Sequence, residues 1–476
     1  MIRFRAARLS RAPLLLPLLL ASACASVPNL GPKPVPNAPG AYETTRSLAP
    51  SAREWPGERW WSDYRDPQLV ALIDEALAAS PDLTAAAARL RTAQGFAQRA
   101  GAALQPTIDA GASVEIVRQS ENQGLPAPLA PHGWQDVGSV ALSFSFDLDL
   151  WGKNRAALAA ATSDAEAAGY DFAEARLALA TAIASTYADL AALHAQRDAL
   201  ETILALRTQT LGLVERRVAN GLGTRADLKQ AEARVPQARG DLAATDEALA
   251  LTRNALAALL GAGPDRGLRI ARPLVAALHP EGVPADASIA LIGRRPDIAA
   301  ARARVEAAGS RIKEARAAFY PDINLSALVG LQSLGLGSLL SGDSFTASAG
   351  PAISLPIFHG GALSGNYRGR RGQYDEAVAL YDARVVAALR ETADALASQK
   401  MLATRLTESR RTVAAFEEAS GLARRRYEGG LSAYLDVLSA EEGLVQARIQ
   451  LADLESRAFV LDVALVRALG GGFTAS

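Results

Sequence analysis

Hydrophobic and polar positions alternate along four stretches of this chain. In residues 139–150, Val140, Leu142, Phe144, Phe146, Leu148 and Leu150 share one side. Ser139, Ala141, Ser143, Ser145, Asp147 and Asp149 share the other. A period of two marks a strand with one apolar and one polar face. Ile108, Ala110, Ala112, Val114 and Ile116 oppose Asp109, Gly111, Ser113 and Glu115 in the same way. Ile323, Leu325, Ala327, Val329 and Leu331 oppose Asp322, Asn324 and Ser326, with Leu328 breaking the polar face. Phe345, Ala347, Ala349, Ile353, Leu355 and Ile357 oppose Thr346, Ser348, Gly350 and Ser354. The predicted strands are residues 107–118, 138–150, 321–332 and 345–357; Pro351 and Pro356 weaken the last. Each is long enough to cross a bilayer, which takes about 9–11 tilted residues. Taken alone, the strands would favour a soluble sandwich sheet; the N-terminal signal and the cysteine change that balance.

Between the strands the period changes to that of helices. From Gly152 to Ala219 the chain is rich in Ala, Leu, Arg and Glu. That predicts about 68 residues of helix, or about 100 Å. The return segment carries a heptad seam of alternating steps of three and four: Leu228, Ala231, Val235, Ala238, Leu242, Thr245, Leu249, Thr252, Leu256 and Leu259. The same seam recurs at Val437, Ala440, Leu444, Ala447, Leu451, Leu454, Ala458, Leu461, Leu465 and Ala468. Pro236 sits inside the first seam and is expected to bend or loosen it.

The chain is written twice. SPDLTAAAARLRTAQGFAQRAGAALQPTI (80–108) matches RPDIAAARARVEAAGSRIKEARAAFYPDI (295–323), so that Pro81, Asp82 and Pro106 meet Pro296, Asp297 and Pro321. RVANGLGTRADLKQAEA (217–233) matches RYEGGLSAYLDVLSAEE (426–442). A repeat of about 200 residues is too long for a solenoid unit, whose period is about 20–50, and implies two similar halves. The expected organisation is residues 60–262 as the first repeat, 263–290 as a linker, 291–470 as the second repeat and 471–476 as a tail.

Composition removes several function classes. Lys plus Arg and Asp plus Glu both total 50, and this balance gives no broad field for nucleic acid. A single Cys excludes a disulfide framework and a thiolate zinc cluster. His132, His194, His279 and His359 lie far apart, and no Walker loop or GxGxxG is present. No nucleophile, base and oxyanion donors stand in a recognisable pattern, so neither an enzyme nor a cofactor is expected.

Residues 1–23 hold Arg3, Arg5, Arg8 and Arg11, then a short apolar run too brief for a spanning helix. They read as an export signal. The run ends at Cys24 and resembles a bacterial lipoprotein signal, in which that cysteine becomes the acylated N-terminus. Ala21 stands where such signals prefer Leu. Ser26 is not the Asp associated with inner-membrane retention, which favours the outer membrane. Residues 24–59 carry Pro28, Pro32, Pro34, Pro36, Pro39 and Pro50 and read as a lipidated, extended, solvated tether.

Four membrane-length strands do not close a barrel, and lipid does not tolerate open edges. Three copies supply twelve strands, enough for a lumen, whereas eight would fill with side chains. WWSDYRDPQLVALIDEALAASPDL from Trp60, FDLDLWGKNR at 146–155, FYPDINLSA from Phe319 and RYEGGLSAYLDVLSAE at 426–441 resemble outer-membrane efflux factors of the TolC-like group. They are most similar to the outer-membrane lipoproteins of resistance-nodulation-division tripartite pumps. The resemblance covers most of residues 60–470. It implies a mainly α fold with duplicated halves and four transmembrane β-strands. These form a trimeric 12-stranded β-barrel that continues into a long periplasmic α-helical barrel. It also implies a homotrimer and passive export of drugs or other small toxic compounds, with energy supplied by an inner-membrane pump through a periplasmic adaptor protein.

By this resemblance the turns at 220–224 and 428–432, with Gly221, Gly223, Gly429 and Gly430, meet the adaptor, although helix termination alone also explains these glycines. The matching gate positions are Tyr427, Leu435, Asp436 and Ser439; Leu435 serves equally as seam packing. Relatives often carry Asp where Ser439 stands. Asp109, Asp147, Asp149 and Asp322 fall on polar strand faces and would form acidic rings that disfavour anions, or merely hydrate the wall. Trp134, Trp151 and Phe319 mark interfacial belts or scattered core aromatics. Arg216, Arg217 and Arg424–Arg426 read as a solvated face. Two other functions compete: the outer-membrane component of a type I protein secretion system, and an exported coiled-coil scaffold without a channel.

Overall fold

A computed structural model describes residues 27–48, 54–118, 120, 133–274, 284, 291 and 293–475. The export signal, Cys24 and much of the predicted linker lie outside the described residues.

The elements follow the duplicated order. The first half has α1 (Pro67–Ala79), α2 (Pro81–Ala102), β1 (Thr107–Val117), β2 (Gln135–Asp147), α3 (Lys153–Ala219) and α4 (Arg225–Leu259). A short helix α5 (Pro264–Leu268) stands in the linker. The second half has α6 (Pro296–Ala317), β3 (Asp322–Leu334), β4 (Phe345–Ser354), α7 (Ala362–Glu428) and α8 (Tyr434–Ala468). The copies agree in length: α2 and α6 have 22 residues each, α3 and α7 have 67, and α4 and α8 have 35. The halves differ mainly between the paired strands, at residues 118–134 and 335–344.

The chain divides into two compact units. The first comprises the described residues within 1–36, 91–167 and 302–380. It holds an antiparallel sheet in the order β1-β2-β3-β4. Thr107 pairs with Ser145, Phe146 with Leu325 and Ile323 with Ile353. β2 ends at Asp147 and β4 at Ser354, both short of the predicted ends. Pro351 lies within β4, opposite Leu325 of β3. Arg371 Nη1 donates to the Gly31 carbonyl at 3.3 Å and Tyr374 Oη to the Pro34 carbonyl at 3.2 Å. The proline-rich segment is therefore laid against α7 at these points, while most of its described residues stay exposed. Its carbonyls lack regular partners, and these side chains supply them.

The second unit comprises the described residues within 37–90, 168–301 and 381–476. Its main core gathers Trp60, Trp61, Tyr64, Leu69, Ile73, Ile183, Tyr187, Leu256, Phe459 and Val463. Asp66 caps α1, accepting from the amides of Gln68 at 2.9 Å and Leu69 at 3.2 Å, and its other oxygen accepts from Tyr187 Oη at 2.8 Å. The heptad seams are inward. Ala231, Val235, Ala238, Thr245, Leu249 and Leu256 are buried on α4, as are Val437, Leu444, Ala447, Leu454, Leu465 and Ala468 on α8. α4 continues through Pro236 as one helix. Arg295, at the start of α6, is buried and forms a two-point pair with Asp297 at 3.0 and 2.8 Å. It also bonds Glu391 at 2.8 Å and the Ala468 carbonyl at 3.1 Å. These partners satisfy a charge that burial would otherwise make costly.

Candidate functional site

The sheet sorts its side chains cleanly. Residues directly opposite one another in a ladder share a face. The registers place Ile108, Phe144, Ala327 and Ala349 in one row, Ala110, Leu142, Val329 and Ala347 in the next, and Ala112, Val140, Leu331 and Phe345 in a third. The other face carries Asp109, Ser143, Leu328 and Ser348 in one row and Ser113, Ser139 and Gln332 in another. Its hydroxyls are tied laterally: Ser113 and Ser139 at 2.8 Å, and Asn324 Nδ2 to Ser145 Oγ at 3.0 Å. Val114, Ile116, Val140 and Leu142 are exposed on the apolar face. A sheet with one exposed apolar face and one polar face suits a wall between lipid and a wet lumen. Among the described residues, no strand pairs with the outer edge of β1 or β4.

The four acidic candidates do not behave alike. Asp109 is exposed opposite Ser143. Asp322 opens β3 on the polar face, with Lys153 Nζ at 3.4 Å from its carboxylate. Asp147 accepts from Asn154 Nδ2 and from the Asp149 amide, both at 2.9 Å. Asp149 is a correction: it lies beyond β2 with φ of 40°. Its carboxylate accepts from the amides of Asn154 at 2.8 Å and Arg155 at 3.0 Å at the start of α3. It caps a helix and does not share the polar strand face. Trp134 and Trp151 are exposed, whereas Phe319 is buried and therefore marks no interfacial belt.

The second cluster of candidates lies where α3 turns into α4 and α7 into α8. The two turns are built alike. Gly221 and Gly430 have φ of 75° and 72°, and the following amides, Leu222 and Leu431, reach back to the Arg217 and Arg426 carbonyls at 2.8 Å each. This is the Schellman closure that glycine permits. Gly223 is packed close to Val218, and Gly429 donates its amide to the Arg425 carbonyl at 3.1 Å. Thr224 and Asp227 then form a full capping box, the Thr224 hydroxyl accepting from the Asp227 amide and the Thr224 amide donating to Asp227, both at 3.1 Å. In the second copy Asp436 still accepts from the Ala433 amide at 3.1 Å.

The gate candidates separate. Leu435, Asp436 and Ser439 are exposed and close together on α8. Tyr427 is buried, packed with Val214, Ala231, Tyr434, Val437 and Leu438 from all four long helices. It belongs to the interior of the hairpin pair and not to a surface that lines a passage. Arg217, which the sequence suggested was part of a solvated face, instead reaches across the turns. Its Nη1 donates to the Tyr427 carbonyl at 2.5 Å and its Nη2 to the Leu222 carbonyl at 3.1 Å, and its guanidinium lies 4.5 Å from the centre of the Tyr427 ring. One cation thus ties both turns at the carbonyl ends of α3 and α7, where the helix dipole favours it. Its equivalence to Arg426 in the duplication hides this role, because only one copy reaches across. Below the turns, Glu441 is buried and accepts from Thr210 Oγ1 at 2.7 Å. Burial pushes its carboxyl above the ordinary range, against the Thr210 hydrogen bond and the charges of Arg207 and Arg424. Burial also pushes Tyr434 up to about 12, with Glu441 adding to the shift. Among the described residues, no group of three or more His, Cys, Asp or Glu is placed to hold a metal ion.

The outer membrane efflux protein family model matches residues 72–262 and 289–471, one match in each half of the chain. The chain belongs to the outer membrane efflux protein family. It is similar to the multidrug resistance outer membrane protein MdtP of Escherichia coli K12, with 32% identity over 88% of both chains. It is also similar to the solvent efflux pump outer membrane protein SrpC of Pseudomonas putida, with 31% identity over 96% of this chain and 97% of the other. The crystal structure of the outer membrane protein VceC of Vibrio cholerae superposes with a TM-score of 0.84 at 43% identity, covering 88% of this chain and all of that one. As an efflux family member, the protein is the outer-membrane channel component of a tripartite efflux system. The family accounts for both the split sheet faces and the paired long hairpins.

Proposed function

We propose that three copies of this chain close a 12-stranded barrel in the outer membrane and form a passive exit duct for drugs, solvents or other small toxic compounds. The observation that carries this reading is the four-stranded sheet, whose apolar face is exposed and whose edges at β1 and β4 have no strand beside them among the described residues. In lipid each unpaired backbone group costs several kcal/mol, so both edges require a strand from another copy. Three copies give a cylinder with a lumen. The polar face then lines the lumen, with rings from Asp109, Asp147 and Asp322. Leu435, Asp436 and Ser439 line its narrow end near the turns. Gly221, Gly223, Gly429 and Gly430 shape the turns that meet the periplasmic adaptor, through which an inner-membrane pump drives export. Acylation of Cys24 tethers each copy to outer-membrane lipid, at about 0.8 kcal/mol per buried methylene. The similarity to MdtP and SrpC supports drugs and solvents as cargo.

Mass measurement of the detergent-purified full chain, followed by planar-bilayer recording, tests the reading. Three copies per particle and a discrete ion conductance are expected. A monomer without conductance would favour an exported helical scaffold. A conducting trimer that restores protein secretion but no drug resistance would favour a type I secretion duct.

A further inference from the structure

The connection between β3 and β4, residues 335–344, reads GLGSLLSGDS and carries one charge, Asp343. It does not extend beyond the end of the sheet but folds back onto it. A Cβ on Gly138 would lie 2.8 Å from Leu336 Cδ2 and 3.0 Å from Leu339 Cδ2. Gly138 shares the parity of Val140, Leu142 and Phe144 on β2, so these leucines sit on the apolar face. Gly138 is buried beneath them, whereas Val140 and Leu142 in the same file are exposed.

Large apolar side chains stand on the loop's outward surface beside Ser338, Ser341 and Asp343: Leu340 is 86% exposed, Leu336 42% and the adjoining Phe345 63%. Part of its backbone is closed on itself. The amides of Ser338, Leu339, Ser341 and Ser344 each bond a carbonyl three residues back, at 3.0–3.2 Å. Ser344 Oγ donates to the Ser338 carbonyl at 2.6 Å, and Ser333 Oγ to the Gly335 carbonyl at 2.9 Å. Finally, the loop engages a carboxylate at this end of the apolar face. Asp136 Oδ2 accepts from the Leu336 amide at 2.7 Å, and the Asp136 carbonyl accepts from the Gly335 amide at 2.6 Å.

We infer that Leu336, Leu339 and Leu340 of loop 335–344 form an apolar foot that rests among the acyl chains of the outer leaflet, anchoring the rim of the barrel in lipid. Six of the ten loop amides, those of Gly335, Leu336, Ser338, Leu339, Ser341 and Ser344, are bonded within the protein, and Leu336, Leu339 and Leu340 form an apolar surface that lipid covers at less cost than water. This apolar surface continues the exposed apolar face of the strands, so the occupant is the lipid that already covers Val140 and Leu142. The inference rests on the barrel reading, because only a membrane-embedded sheet has lipid on that face.

Nitroxide labels on the full chain separate the two claims. Leu340→Cys, Val140→Cys and Asp343→Cys are introduced singly into protein reconstituted in phosphatidylcholine vesicles, and the signal of the labelled parent chain is subtracted. Collision with oxygen reports lipid, and collision with a water-soluble nickel complex reports water. The oxygen-to-nickel ratio at Leu340 is expected to match that at Val140 within about twofold and to exceed that at Asp343. A lipid-like Val140 with a water-like Leu340 would overturn the foot and leave the barrel standing. Water-like labels at both would remove the barrel reading itself. A Leu340 label shielded from both reagents would mean that protein covers the loop, which also overturns the proposal. In a second variant, Gly138→Leu takes the seat of Leu336 and Leu339, and the Leu340 label should then move toward water. An unchanged ratio there would show that the Gly138 seat does not direct the loop.

Discussion

Gly221 and Gly430 hold the same left-handed backbone, with φ of 75° and 72°, at the ends of two helices of 67 residues each. In both turns the next amide returns to an arginine carbonyl at 2.8 Å, from Leu222 to Arg217 and from Leu431 to Arg426. Two copies of one turn thus stand in one molecule, and their differences can be assigned to single side chains.

Thr224 completes a capping box that Ala433 leaves half made. Thr224→Ala should weaken the start of α4 by about 1 kcal/mol, and Ala433→Thr should strengthen the start of α8 by a similar amount. Hydrogen exchange of the first-turn amides reads both. About fivefold faster exchange is expected in the first variant and about fivefold slower in the second.

Arg217 bridges the two turns through carbonyls on each. Hydrogen bonds to a charged donor contribute about 1.5–3 kcal/mol each when shielded from water. Arg217→Ala should therefore raise exchange at residues 428–432 by at least about tenfold, while β1–β4 exchange stays as in the parent. Arg426→Ala, at the equivalent place in the other copy, should leave both turns nearly unchanged. Equal effects from the two would show that the bridge contributes nothing specific.

Glu441 has its carboxyl raised by burial above the ordinary glutamate value of 4.5. In the window between that value and its raised folded-state value, the folded chain holds the proton and the unfolded chain does not. Stability therefore falls as pH rises through this window and recovers as pH falls. Glu441→Gln keeps the shape and an acceptor for Thr210 and removes the titration. It should unfold at a higher temperature than the parent at pH 7, with the difference closing by pH 4.5. A constant difference across that range would show that Glu441 is not the group responsible.

Asp109 and Asp322 stand on the polar face of the sheet, Asp322 with Lys153 nearby. Acidic rings favour cations in a pore. Asp109→Asn should lower the cation-to-anion permeability ratio by about twofold in bilayer recordings, and Asp322→Asn by less, because Lys153 already offsets that charge. Asp149→Asn should leave the ratio unchanged, since that carboxylate caps α3. An anion-selective parent channel would remove the acidic-ring reading.

Local periodicity determined much of this protein by itself. The two-residue alternation of Val140, Leu142 and Phe144 marked the strands and their faces, and the seam from Leu228 to Leu259 marked the buried side of α4. Gly221 and Gly430 marked the turns. Each depends on neighbours within a few residues, where backbone geometry alone relates side chains. Tertiary structure decided what depends on distant partners. Phe146 faces Leu325 because of a register that no single strand specifies. Asp149 left the strand because the amides of α3 were within reach. Tyr427 went inward and Arg217 across, although the family resemblance matched Tyr427 to a gate and Arg217 read as part of a solvated face. Loop 335–344 folded onto Gly138 because the absence of one side chain opened a seat there. A burial or a hydrogen bond between residues far apart in the chain is a property of packing, and a single sequence carries no local signal for it.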